Sequence, residues 1–285
     1  MIRTSHSHVN VAAATHPGTA GRQNEDRFAV SAYTLSEADP TPSVFAIVSD
    51  GIGGHRAGEV AAEMAVELIS HRIAQSDPGG SPLEVLDEAI RSASETIASS
   101  ARDDAQRLGM GTTCACAWII GDQLFTASVG DSRIYLLRAE VILQLTVDHT
   151  WIQEAMDKGI LRPDQVRNHP NLHVIHRYLG SANVPQVDIR LRMAKDESDT
   201  QSRSNQGMRL RAGDVLLLCT DGLTDGVADH EIQSIVRRLA GNGLQNTAQA
   251  LVDKAVALGG SDNITAVLLE VVADTTPKKK SKFGR

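Results

Sequence analysis

The chain has 285 residues, 41% hydrophobic and 22% charged, a composition that supports a sizeable buried core and excludes global disorder and collagen-like structure. Twenty-eight Lys and Arg against 35 Asp and Glu leave a formal charge of −7, so most of the surface repels polyanions and nucleic acid is not an expected partner. Four Phe, three Tyr and two Trp are too few for a binder that stacks aromatics on single strands.

Val9 to Ala14, Phe28 to Tyr33 and Ser43 to Val48 are short apolar runs between turn residues, and they predict strands. Gly58 to Ile73, with Val60, Met64 and Leu68 at i, i+4 and i+8, predicts a helix, as does Leu83 to about Arg107. The Pro- and Gly-rich loop 77–82 separates the two. Four strand-like runs follow, Thr112 to Ile120, Gln123 to Val129, Ile134 to Leu137 and Val141 to Val147. Their links are so short that antiparallel neighbours are expected. Cys114 and Cys116 lie in the first of these runs as core residues, and with Cys219 they make an odd count without zinc spacing. A reducing, cytoplasmic setting is expected.

Residues 148–184 break the pattern with His, Pro and Gly, carry one helix from about Thr150 to Lys158, and predict an inserted flap. Val187 to Met193, Val215 to Cys219 and Ile264 to Val271 predict further strands, bracketing helices built on Ile232, Ile235, Val236 and Leu239, then Ala248, Leu251, Val252 and Ala255. Segments 195–207 and 274–285 hold little apolar surface to bury and are expected to be disordered; the second contains the basic run Lys278 to Lys282. The opening ten residues lack the apolar stretch of a secretory signal, and no run reaches the ~18 apolar residues of a membrane span. One domain over 1–273 is expected. The order of strand runs and helix pairs predicts an α+β fold of stacked antiparallel sheets covered by helices.

Carboxylates recur where strands end. Asp50-Gly51 closes one apolar run, Thr220-Asp221-Gly222 closes another, Asp131 follows Gly130 at a third boundary, and Asp262 precedes the last strand. Taken alone, an Asp-Gly after a strand is the signature of a hairpin turn. Gly51, Gly53 and Gly54 are too many glycines for a two-residue turn, and they let a metal or phosphate approach the main chain. Four aspartates converging on one sheet edge repel unless cations neutralise them. Oxygen ligands without a Cys or His cluster suit Mg²⁺ or Mn²⁺ rather than Zn²⁺, and the natural chemistry is two-metal attack of water on phosphorus. Beside such a cluster Arg22 offers a planar fork to a phosphate, and Glu25 and Asp26 could hold metal-bound waters.

The motifs Asn24-Glu25-Asp26, Asp50-Gly51-Ile52-Gly53-Gly54-His55 with Gly58-Glu59, Gly111-Thr112-Thr113, Gly130-Asp131-Ser132-Arg133, Asp148-His149-Thr150, His169-Pro170, Leu179-Gly180, Thr220-Asp221-Gly222-Leu223 and Ser261-Asp262-Asn263 stand in one order along nearly the whole chain. Singly each is weak. As an ordered set they resemble the bacterial metal-dependent protein phosphatases of the 2C type, the PPM family. That resemblance implies an α-β-β-α sandwich with a flap, and hydrolysis of phosphoserine and phosphothreonine on proteins. It also implies a binuclear Mn²⁺ or Mg²⁺ centre in which Asp50 bridges both ions, the Gly51 carbonyl contacts the first, and Asp221 and Asp262 hold the second. Asp131, helped by Asp221, corresponds to a third metal site.

Two positions depart from the family pattern. The phosphate-binding Arg usually precedes the motif Glu by four residues, whereas Arg22 lies three before Glu25 and Gly21 takes the usual place. Eukaryotic members carry a His after the first Asp-Gly, where Ile52 stands, and His55 reads as a structural residue or one that supports a metal ligand from behind, rather than as the acid. The expected partners are phosphoproteins, among them a cognate Ser/Thr kinase and its substrates, and a monomer is expected. The alternatives are a catalytically weak phosphoprotein-binding regulator of the same fold, disfavoured by the complete Asp set, and a metal nuclease or phosphodiesterase, disfavoured by the negative charge.

Overall fold

Val44 to Val48 and Val215 to Cys219, apolar at every position, become central strands of two different sheets. Val44, Ala46 and Val48 pack between the sheets, while Phe45 and Ile47 pack outward against helices. Leu216 and Leu218 likewise pack between the sheets, and Val215, Leu217 and Cys219 pack outward. Burial on both faces is why these strands lack the polar alternation of a half-exposed sheet.

The computed structural model describes residues 1–21, 23–52, 57–166 and 169–273. Its strands are β1 (Ile2–Arg3), β2 (Val9–His16), β3 (Arg27–Thr34), β4 (Pro42–Ser49), β5 (Gly51–Ile52), β6 (Gly111–Thr112), β7 (Cys114–Ile120), β8 (Gln123–Val129), β9 (Arg133–Arg138), β10 (Val141–Gln144), β11 (Met208–Arg209), β12 (Val215–Cys219) and β13 (Ile264–Val271). Its α-helices are α1 (Ala57–Ala74), α2 (Pro82–Asp103), α3 (Trp151–Asp157), α4 (Asp199–Ser204), α5 (Asp221–Thr224), α6 (Asp229–Arg238) and α7 (Leu244–Ala257). One sheet runs β1-β3-β4-β7-β8-β11, the other β10-β9-β12-β13-β2, and β5 and β6 form a small ribbon. Every pairing is antiparallel. Helices α1 and α2 cover the first sheet through Phe45, Ile69, Ile90 and Trp118. The second is covered by α6 and α7 through Leu217, Ile232, Leu251 and Leu268. The result is the expected α-β-β-α sandwich. All three cysteines are free and buried, and among the described residues no helix is long and apolar enough to cross a membrane.

Several local expectations are corrected. The buried face of α1 is Ala61, Ala65, Ile69 and Ile73, with Val60 and Met64 at its margin and Leu68 exposed; small alanines let the helix lie close to its sheet. Helix α2, started by Pro82 behind the Ser81 cap, ends at Asp103, and residues 105–107 form a separate 3-10 turn. The strand from Val141 stops at Gln144. Val187 to Met193 is not a strand: only Asp188 bridges to β8, at Ser128. The side-chain amide of Gln206 takes the adjacent place, accepting from Thr126 N–H at 2.9 Å and donating to the Thr126 and Ile189 carbonyls at 2.8 Å each.

Residues 195–207, expected to be disordered, instead carry α4. Its Ser198 and Gln201 form a capping box, and the Glu197 carboxylate receives Met193 N–H at 2.9 Å and Asn205 Nδ2 at 3.0 Å. Order here comes from polar bonding between side chains and backbone, which a count of apolar residues does not register. Residues 274–285 lie outside the described residues. The short link 130–132 does not make a hairpin either; it carries the chain from β8 in one sheet to β9 in the other. Gly130, at φ +106°, permits that crossing.

Candidate metal centre

Register brings the aspartates together. Arg27 pairs with Ser49 across β3 and β4, so Asp26 and Asp50 leave neighbouring strand ends of the first sheet. In the second sheet Cys219 pairs with both Arg133 and Ala266, which places Asp221 beside the crossover that carries Asp131 and the loop that carries Asp262.

The chain around Asp50 is clamped. Its N–H donates to Thr113 Oγ1 at 2.9 Å, and its carbonyl receives Thr113 N–H at 2.9 Å and Thr112 Oγ1 at 2.7 Å. Thr113 Oγ1 also meets Ser132 Oγ at 2.7 Å, tying the Asp50 turn to the Asp131 loop. Gly51 passes so close to the start of α1 that a Cβ on it would stand 2.4 Å from the Gly58 backbone. On the opposite side Asn263 Oδ1 receives Glu25 N–H at 2.7 Å, and its Nδ2 donates to the Pro17 and Gln23 carbonyls at 3.0 and 3.2 Å.

Asp26 Oδ2 receives Thr265 Oγ1 at 2.7 Å and Thr220 Oγ1 at 2.8 Å. The second oxygens tell more. Oδ1 of Asp26, of Asp131 and of Asp221 are each buried without a hydrogen-bond partner. Anionic oxygens in that condition are costly unless a cation meets them. Burial, reinforced by Asp26, Asp221 and Asp131, pushes the Asp50 carboxyl well above the usual carboxylate range. Burial, then Asp225 and Asp262, raises Asp221 to about 6. Asp26 is raised to about 7 by burial with help from Asp221 and Asp262, against its two threonine bonds. Asp131 is likewise pushed well up by burial and then by Asp221 and Asp148. An all-oxygen, electron-rich donor set of this kind fits hard divalent ions.

The structure adds groups that lie outside the sequence motifs. His173 in the flap, Asp221 and Asp225 present ligand atoms within 4.8 Å of one another. Asp225 follows Asp221 by four residues, one helical turn along α5, a spacing that signals a shared face. A cavity of about 210 Å³ between core and flap is lined by Asp131, Asp148, Asp221, Asp225, Ile152 and His173. A larger groove, of about 560 Å³, opens at the opposite end of β12 beside Val236 and Leu244, away from the carboxylates. Arg22, and His55 with Gly53 and Gly54, lie outside the described residues.

Residues 16–256 match the family model described as protein phosphatase 2C. The chain is 33% identical over 265 residues to the serine/threonine protein phosphatase PstP of Mycobacterium tuberculosis, covering 93% of this chain and 45% of that protein, so it spans about half the length of that relative. It is 34% identical over 259 residues to the serine/threonine phosphatase stp of Listeria monocytogenes, covering 90% of this chain and 93% of that one. Among solved structures, the catalytic domain of PstP in complex with two manganese ions superposes with a TM-score of 0.73 at 31% identity, covering 93% of this chain and 99% of that one. The Streptococcus agalactiae serine/threonine phosphatase superposes with a TM-score of 0.78 at 28% identity, covering 92% and 99%.

Proposed function

The chain belongs to the protein phosphatase 2C family, and on that premise we propose that it hydrolyses phosphoserine and phosphothreonine on proteins at a binuclear Mn²⁺ or Mg²⁺ centre, reversing a Ser/Thr kinase. The observation that carries this reading is the set of buried, unpartnered carboxylate oxygens on Asp26, Asp131 and Asp221 around Asp50.

In this reading Asp50, the Gly51 carbonyl, Asp221 and Asp262 would hold the two ions. Asp131 would contribute to a third site, and Glu25 and Asp26 would act through water. When bound, the ions supply a water activated at neutral pH and neutralise charge on the transferring phosphoryl group. The protein's own residues do the rest. Thr112 and Thr113 fix the Asp50 turn, so its carboxylate is oriented before substrate arrives. Because the Asp50 carboxyl is held well above the usual range, it would have to lose its proton to serve as a ligand, so ion binding would be coupled to proton release. Arg22 takes the phosphate oxygens with its planar guanidinium. Ile52 cannot donate a proton to the departing alkoxide, so that role falls to another group of the site.

A phosphothreonine peptide, a bis-aryl phosphodiester and p-nitrophenyl phosphate, each assayed with Mn²⁺ and with chelator, test the proposal. Monoester hydrolysis that vanishes in chelator and returns with Mn²⁺ is expected. Preference for the diester overturns the proposal, and phosphopeptide binding without turnover marks a regulator of the same fold.

A further inference from the structure

One imidazole grips the loop that carries Asp131. Gly130 N–H donates to His149 Nδ1 at 3.0 Å, and His149 N–H donates to the Gly130 carbonyl at 3.0 Å. Across the ring, Nε2 lies 3.1 Å from Asp188 Oδ2. A backbone N–H only donates, so Nδ1 is the acceptor, and the ring proton sits on Nε2 and points at Asp188. Both side chains are buried, and Asp188 is fixed in turn by Arg190, whose Nε stands 3.0 and 2.9 Å from its two oxygens and whose N–H donates at 2.9 Å. Burial opposes the Asp188 charge, but the bonds from His149 and Arg190 outweigh it and hold the carboxyl well below the usual range.

The same residue is a joint between segments. His149 is the second residue of the flap region, and its carbonyl receives His176 N–H at 2.7 Å from the flap's returning arm. Thr150 bridges to Ile175, and Asp188 bridges to Ser128 at the end of β8. Gly130 has no slack on its other side, because Thr113 packs where its Cβ would be, at 2.6 Å. The Asp131 loop is thus seated between Thr113, which also holds Asp50, and His149, which also holds the flap.

We propose that His149, fixed as its Nε2–H tautomer by Asp188, is the positioning residue that sets the Asp131 carboxylate against Asp50 and Asp221 and couples that setting to the flap. The inference rests on the reading of Asp131 as a ligand of the metal centre. An aliphatic side chain fills the volume of His149 but leaves Gly130 N–H without an acceptor. Asn places Oδ1 where Nδ1 stood and keeps one.

Nitrogen-15 NMR, amide exchange and Mn²⁺ calorimetry on the full chain test this. Nitrogen-15 NMR of the wild-type ring should show a bare Nδ1 and a protonated Nε2; the opposite tautomer overturns the proposal. His149→Leu should speed amide exchange at Gly130 at least tenfold and weaken the weakest Mn²⁺ site in a calorimetric titration by a similar factor, leaving tighter sites in place. His149→Asn should recover most of both. Equal losses in the two variants at matched melting temperature, or no change in either, overturn it. Should the Leu variant not fold, Asp188→Ala removes the group that fixes the tautomer and should also speed Gly130 exchange; unchanged exchange there counts against the proposal. Asp131→Ala separates the two readings. If it keeps every Mn²⁺ site, Asp131 is not a ligand, and the positioning role is then decided by the Gly130 exchange rates alone.

Discussion

Thr220 and Asp26, 194 residues apart, meet in a 2.8 Å hydrogen bond that joins the two sheets at the edge where the aspartates gather. Thr220 stands at the end of β12 in the second sheet, and Asp26 precedes β3 in the first. Thr265 reaches the same Oδ2 at 2.7 Å, so one oxygen of Asp26 is doubly occupied while Oδ1 is buried without a partner. A cross-sheet tie at one oxygen and repulsion at the other make opposite demands on one side chain. Asp26→Asn keeps an oxygen for the threonines and removes a charge from the cluster. The metal-free melting temperature should therefore rise by a few degrees, while Mn²⁺ affinity falls about tenfold or more. Differential scanning fluorimetry in chelator and calorimetric Mn²⁺ titration read the two effects; unchanged values in both would separate Asp26 from the centre.

The raised carboxyls predict an inverted pH dependence for the metal-free protein. A carboxyl with a higher pKa folded than unfolded binds its proton more tightly in the folded chain. Its stabilising contribution is therefore complete below the unfolded value, about 4, and is lost as pH rises through the folded value. For Asp26 the window closes at about 7 and for Asp221 at about 6. In chelator the melting temperature should fall by roughly 5 °C or more between pH 4 and 7.5, and Asp26→Asn should flatten the slope. Saturating Mn²⁺ should abolish it, because cations take the place of protons. A metal-free melting temperature that climbs through this interval would contradict the electrostatics of the cluster.

Gly58→Ala sets helix propensity against packing. Ala improves the first turn of α1 by about 1 kcal/mol. Its Cβ would stand 2.8 Å from the Gly51 backbone and 2.8 Å from Glu25 Oε2, and overpacking of that kind costs about 1–3 kcal/mol or more. Packing wins, so the variant should lose about 1–2 kcal/mol in urea unfolding. It should also bind Mn²⁺ less tightly, because the Gly51 carbonyl is displaced. A more stable variant with native metal affinity would show that the approach of the two glycines carries no constraint.

The convergence of Asp50, Asp131, Asp221 and Asp262 was legible because each stands near a strand end and within two residues of a glycine, so sequence marked both the strand end and the freedom of the chain there. Asp225 was not legible. Its only signal is the four-residue spacing from Asp221, and α5 is too short to show periodicity. His149 and Asp188 depend on the crossover at 130–132, whose length predicts a hairpin and whose real course follows from Gly130 and Thr113. Segment 187–207 departs from its sequence pattern at both ends for one reason: Gln206, Glu197 and Ser198 do with side-chain bonds what strands do with backbone, and periodicity registers only apolar side chains.

Asp262→Asn isolates charge from shape at the most exposed of the expected ligands. Its Oδ1 receives Asn263 N–H at 2.8 Å, a bond that an amide oxygen can keep, and Asn263 in turn holds the Glu25 loop. The fold should therefore survive with a melting temperature within about 2 °C of wild type. One negative charge is lost from the cage while a ligand oxygen remains, so Mn²⁺ affinity should drop about tenfold or more and activity at micromolar Mn²⁺ should collapse. Millimolar Mn²⁺ should restore much of the turnover in Asp262→Asn but not in Asp262→Ala, which loses the oxygen as well. Calorimetric titration beside phosphopeptide assays at both concentrations distinguishes the two variants; wild-type affinity in Asp262→Asn would remove this residue from the metal centre and leave Asp50 and Asp221 to find their third carboxylate in Asp225.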